Sequence, residues 1–168
     1  MLNMYDASVI PLKRALTNLS HILKKAEAHA FAKNIDPSIF VNARLFPDMY
    51  PLSRQVQIAT DMSKGAVARL SGSEIPKYED TETTFAELQG RITKTIDFIN
   101  SLSSAQLEGA DVLTVFINIR KVDMTFSGQD YLLNWVMPNV YFHVTTAYNI
   151  LRHNGVELGK PDFLGAMT

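Results

Sequence analysis

The stretch "NVYFHVTTAYNILRHNG", residues 139–155, sets one imidazole in the middle of an aromatic and apolar run with helical spacing. Gly155 is well placed to stop that helix, because glycine adopts the left-handed backbone that ends many helices. Arg152 and His153 sit in the last turn, where cations favour the negative end of the helix dipole. Upstream, "SGQD" (127–130) offers a capping box, with Ser127 accepting from the Asp130 amide. The segment 128–154 therefore reads as one helix. Pro138 interrupts it, removes one backbone bond and frees the Asn134 carbonyl, which predicts a kink.

On an uninterrupted helical wheel, Leu132, Val136, Asn139, His143, Thr146 and Ile150 form one stripe, and half of it is polar. Asn139 and His143 are four residues apart, so their side chains meet on one face. A bare buried polar group costs about 1–3 kcal/mol, so this cluster needs internal partners, a water or a ligand. His143 reads three ways: a metal ligand, a catalytic base, or a hydrogen-bonded residue of the core. His153 cannot share an ion with it, because ten residues separate them by about 15 Å along the axis and roughly 80° around it.

Three further amphipathic helices precede this one. The first repeats Tyr5, Val9, Leu12, Leu16, Leu19, Leu23, Ala26 and Ala30 in steps of three and four, and ends near Asn34. Pro11 lies inside it, and His21 and His29 lie off the stripe. Residues 35–51 hold three prolines and several large apolar side chains, which predicts a long packed connection. The second helix, 52–70, faces inward with Leu52, Val56, Ala59, Met62, Ala66 and Leu70. The third follows a threonine cap at 83 or 84 and faces inward with Phe85, Leu88, Ile92, Thr95, Ile99 and Leu102. Residues 112–127 switch to β-branched and aromatic residues and predict a small hairpin turning near Asn118 to Lys121. The fold class is all-α: a single domain over 1–168, a four-helix bundle with a long connection after helix 1 and a β-hairpin before the last helix.

Composition narrows the function. Sixteen basic residues nearly balance seventeen acidic ones, which gives no electrostatic case for nucleic acid. Cysteine is absent, so disulfides, thiolate metal sites and cysteine nucleophiles are excluded. The N-terminal sixteen residues lack the pattern of a signal peptide, and no run approaches the ~18 apolar residues of a membrane span. A soluble cytoplasmic protein is expected. No glycine-rich phosphate loop, H-E-x-x-H or nucleophile elbow is present.

On the second helix, Asp61 is a candidate partner for His143, although the periodicity favours its turning outward. Turned inward it would hold the imidazole tautomer, and turned outward it would pair with Lys64. Gly65, one turn on, leaves room for another element or a small molecule.

"PNVYFHVTTAYNILRHNGVELGKPDFLG" (138–165) resembles the C-terminal signature of a bacterial family of unknown function within the DinB/YfiT-like superfamily. "MYPLSRQVQIATDMSKGAVARLSG" (49–72) and the following "FAELQGRITKTIDFI" are similar to that family's middle portion. The resemblance implies a four-helix bundle that forms homodimers. It also implies kinship with metal-dependent hydrolases and with transferases acting on low-molecular-weight thiols. Their zinc or nickel is held by one histidine of the second helix and an H-x-x-x-H pair of the last. Carried over, His143 resembles the second histidine of the pair, Asn139 falls at the first, and Gln57 or Asp61 stands near the third. One imidazole with amides makes a poor site for zinc or nickel. The expectation is therefore an uncharacterised homodimeric bundle with a small-molecule pocket around Asp61, Asn139, His143, Gln57 and Thr146 and an incomplete metal triad. The alternative is a metal-dependent hydrolase or thiol transferase using His143 and Asp61. "YLLNWVMPNVYF" (131–142) would supply the dimer interface.

Overall fold

The computed structural model describes residues 3–119 and 121–166. Its first helix, α1 (Met4–Ala32), begins at Asn3, whose side chain accepts from the Asp6 amide. The predicted stripe is buried from Val9 to Ala30, and Pro11 is carried inside the helix. Asn34 adopts a left-handed backbone just after it. The connection then forms the short helix α2 (Pro37–Asn42), capped by Asp36. Phe40 and Val41 of α2 pack into the core.

Helix α3 (Leu52–Ser71) ends at Gly72, whose φ of +70° supplies the left-handed stop. Helix α4 (Phe85–Asn100) starts at a complete capping box. The Thr84 hydroxyl accepts from the Glu87 amide at 3.2 Å, and the Glu87 carboxylate accepts from the Thr84 amide at 2.9 Å. All six apolar-stripe residues read from the α4 region are buried. After a 3₁₀ turn (Ser104–Leu107) come β1 (Thr114–Ile119) and β2 (Val122–Ser127), paired antiparallel with Phe116 opposite Thr125. Lys121, in the turn, has φ +68°. Val115 and Ile117 of β1 point into the core.

The last rod has three parts: α5 (Gly128–Asp130), a π turn (Tyr131–Val136) and α6 (Met137–His153). Ser127 caps it as expected, accepting from the Asp130 amide and donating to the Asp130 carboxylate. The π turn answers the proline. The Met137 amide donates five residues back, to the Leu132 carbonyl, one residue ahead of Pro138. A π turn holds one residue more than an α turn, so the buried line from Leu132 and Val136 runs on into Val140, Val144, Ala147 and Leu151. Of the line Asn139–His143–Thr146–Ile150, Asn139 and His143 lie on its flank and are only half-buried, while Thr146 and Ile150 are buried. This corrects the wheel drawn from sequence. Helix α7 (Lys160–Leu164) closes the described chain against α1.

Helices α1 and α3 each pack against both α4 and α6, so the four long helices form a square with α1 diagonal to α3. One continuous apolar cluster runs through all four and takes in α2 and the hairpin. The fold is the helical bundle with a hairpin before the last helix that the sequence predicts. Helix α3 departs from its simple stripe: Gln55, Gln57, Thr60, Ser63 and Lys64 are buried along with its apolar face. Among the described residues no helix is long and apolar enough to cross a membrane.

Candidate functional site

His143 meets α3 through Gln55. Its Nδ1 lies 2.7 Å from Gln55 Oε1. The roles in this bond are fixed by the other end of the amide, where Gln55 Nε2 donates to the Tyr50 carbonyl at 3.1 Å. A carbonyl only accepts, so Oε1 is the amide end facing the ring, and His143 donates from Nδ1–H. Burial of the ring, with Arg54 adding its positive charge, holds the imidazole below the ordinary histidine value. The neutral ring thus carries its proton on Nδ1 and a lone pair on Nε2. Nε2 has no partner among the described residues, yet no buried side-chain nitrogen or oxygen there lacks one, so Nε2 reaches the surface. The Phe142 ring stands edge-on to the imidazole, 5.2 Å between centroids.

The residues expected around His143 are engaged elsewhere. Asn139 donates to the Trp135 carbonyl at 2.6 Å, a backbone acceptor beside Pro138. Thr146 donates to the Phe142 carbonyl one turn back. Gln57 accepts from Arg54 and donates to Glu82. Asp61 Oδ1 receives Lys64 Nζ and Arg91 Nη2, each at 2.7 Å. Among the described residues no hydrogen bond joins Asp61 to His143. The room left by Gly65 is filled by the Arg69 guanidinium, which donates to the Gly65 carbonyl and to the Tyr131 hydroxyl. It is not open to a ligand.

Sequence reasoning missed the polar centre of the bundle, Arg91 on α4. Its side chain is fully buried. All five guanidinium N–H groups find acceptors: Nε on Thr60 Oγ1, Nη1 on the Glu79 carbonyl and the Glu82 carboxylate, and Nη2 on Asp61 with Asp80 3.0 Å away. Burial works against the charge, but the carboxylates of Asp61, Glu82 and Asp80 outweigh it and raise the arginine above its ordinary value. Asp80 also pairs with Arg54. The segment 73–84 is thereby strapped across α3 and α4, with the Tyr78 ring covered by the cations of Lys64, Arg91 and Lys94. A signal existed. Arg91 falls on the α4 stripe three residues after Leu88 and four before Thr95, and an acidic run (79–82) precedes it. Gln55 likewise sits three residues past Leu52 on the buried face of α3.

These placements decide the fit of a zinc or nickel ion. One imidazole is at hand, and Asp61 is neutralised by two cations. The amide of Asn139 is spent on backbone and that of Gln57 on neighbouring charges. Such a donor set does not assemble a three-ligand site with an open position. Among the described residues no three His, Asp or Glu side chains are grouped to hold an ion. Two well-formed clefts do not have His143 in their walls. One of about 560 Å³ opens between α1, α6 and α7. Another of about 500 Å³ opens between the start of α1, the 107–111 loop and the α5–π segment.

With the geometry in view, likeness to known proteins is informative. A crystal structure of a DinB family member from Shewanella denitrificans superposes with a TM-score of 0.92 at 43% identity, covering 98% of this chain and 93% of that one. No curated protein matches the chain. The family profile described as "Domain of unknown function (DUF1993)" matches residues 4–164, and the chain accordingly belongs to that family, built on the DinB-like helical bundle.

Proposed function

We propose that this protein is a non-catalytic small-molecule-binding bundle that works as a cytoplasmic homodimer, and that its ligand meets the bundle at His143. One observation carries the reading. Gln55, itself oriented by the Tyr50 carbonyl, fixes a neutral imidazole with its Nε2 lone pair facing outward. Such a group is a preset acceptor for an N–H or O–H donor. The edge-on Phe142 ring, itself 58% exposed, offers an apolar wall beside it. A flat aromatic ligand bearing one donor suits this arrangement. Exposed Leu133, Tyr141 and Phe142 on the last rod support self-association through the 131–142 segment.

Nitrogen NMR of the histidine side chains tests the site directly. Indole and phenol are titrated into the full chain, with toluene as the control that lacks a donor. The expected result is a shift of the His143 Nε2 resonance with indole or phenol, absent with toluene and abolished by Gln55→Leu. A proton resident on Nε2, or a response equal for all three probes, would overturn the reading. The alternative, a metal-dependent hydrolase or thiol transferase working through His143 and Asp61, draws support only from the accessible Nε2. The Lys64 and Arg91 contacts of Asp61 weigh against it.

A further inference from the structure

We infer that the cleft between α1, α6 and α7 is a second binding site, separate from His143, and that it takes an amphipathic carboxylate. Its volume of about 560 Å³ is in the range of small-molecule sites, about 300–1,000 Å³. Pro11, Ala15, Tyr141, Val144, Phe163 and Leu164 give it apolar walls. Tyr141 and Leu164 are each more than 40% exposed, so the apolar surface continues to the solvent.

The walls are held in place. Helix α7 has little hydrophobic anchorage of its own, since none of its residues is fully buried. It is fastened by polar contacts from α1. Asn18 donates to the Phe163 carbonyl at 2.9 Å, and Lys25 pairs with Asp162 at 3.0 Å. Arg14 donates from Nε to the Leu164 carbonyl and from Nη2 to the Ala166 carbonyl. Gly165, at φ +71°, lies so close to Asn18 that a Cβ there would stand 2.3 Å from Oδ1.

Charge names the ligand class. Among the described residues Arg14 is the one charged residue lining the cleft, and no carboxylate lines it. Two of its five N–H donors are spent on the carbonyls of Leu164 and Ala166. The rest have no acceptor among the described residues. A guanidinium with donors to spare beside an apolar trough matches an anionic head on an apolar body. A second copy of the chain is the competing occupant, but a concave cleft with a single cation suits a narrow ligand better than a flat protein face.

The test is calorimetric titration of decanoate, below its micellar concentration, into the full-length protein, with 1-decanol as the uncharged control. Amide spectra locate the binding. The expected result is saturable one-to-one binding of decanoate with shifts at Ala15, Tyr141, Val144 and Leu164. Decanol should bind about tenfold more weakly. Arg14→Gln should weaken decanoate by about tenfold and leave decanol unchanged, and Arg14→Lys should recover part of the loss. If Arg14→Gln does not fold, the decanoate-to-decanol ratio of the wild type decides. The inference is overturned by equal binding of the two probes, by no saturable binding, or by shifts centred on His143. It is also overturned if decanoate fails to bind and Leu164→Glu, outside the 131–142 segment, lowers the oligomeric state, because the cleft is then the seat of a second copy.

Discussion

Arg91 Nη2 lies 2.7 Å from Asp61 Oδ1, and this ion pair, with Lys64 on the same oxygen, holds the carboxylate that would have met His143 had it turned inward. The pair is the hub of a network in which a fully buried cation faces Asp61, Asp80 and Glu82. Removing the arginine leaves Glu82, only 8% exposed, charged and without its partner, whereas Asp61 and Asp80, each more than a third exposed, keep part of their hydration. Arg91→Met is expected to destabilise the protein by about 2–3 kcal/mol in urea unfolding, the lower end for a buried pair because only Glu82 is left in the interior. It should also loosen residues 73–84, read as faster amide exchange. A loss below about 1 kcal/mol would mean that the strap holds without its arginine.

Gln55→Glu places a carboxylate where the amide oxygen now accepts from His143 Nδ1–H. The imidazolium becomes the favoured form. The histidine value should rise by roughly one unit or more by NMR titration, reversing the direction set by burial. An unchanged titration would show that the two side chains do not touch in solution.

His143 also gives stability a pH dependence of definite sign. Its folded value lies below the ordinary 6.5, so the unfolded chain binds the proton more readily. The contribution is complete above about pH 6.5 and is lost as the pH falls from there toward the folded value. Urea midpoints of the wild type should therefore drop more between pH 7.5 and pH 5.5 than those of His143→Gln. Parallel pH profiles for the two proteins would contradict the assignment.

Gly128 opens α5 under the 107–111 loop. A Cβ at this position would stand 1.7 Å from the Ala110 carbonyl oxygen, and the loop backbone cannot yield as a side-chain tip can. Gly128→Ala is expected to cost about 2–3 kcal/mol, the upper part of the overpacking range. Gly90→Ala is the internal control, since its Cβ would meet open space. That change should be neutral or stabilising.

Zinc or nickel should give no His143-dependent stabilisation. A metal that binds the folded state at a hundred times its Kd adds about 2.7 kcal/mol, a rise in Tm of several degrees. The expected thermal shift with either ion is the same for wild type and His143→Ala. Stoichiometric metal in protein purified without an affinity tag, lost in His143→Ala, would restore the enzymatic reading.

The bundle was legible because each long helix carries its own amphipathic rhythm. Leu88, Ile92, Thr95 and Ile99 on α4, like Leu12, Leu16, Leu19 and Leu23 on α1, are buried as their spacing demands. The hairpin was legible from the change of period at 112–127. The site was less so. A helical wheel assumes 3.6 residues per turn throughout, and Tyr131–Val136 break that assumption ahead of Asn139 and His143. Polar partners chosen by chemical type alone also mislead. Asp61 read as a partner of His143 or of Lys64; it does pair with Lys64, Arg91 claims the same oxygen, and the residue facing the imidazole is the amide Gln55. Choosing among acceptors requires knowing which helices adjoin, and that information is tertiary.

The π turn makes the winding of the last rod a selector of what the bundle interior sees. If 131–136 tightened to an ordinary helical turn with every residue kept, everything downstream would rotate by about 100° relative to the hairpin. Asn139 and His143 would then swing from the margin toward the centre, and Val140 and Val144 away from it. Removing one residue together with the wide turn would instead leave every downstream side chain facing as it does, so the turn absorbs one residue without disturbing the apolar heart.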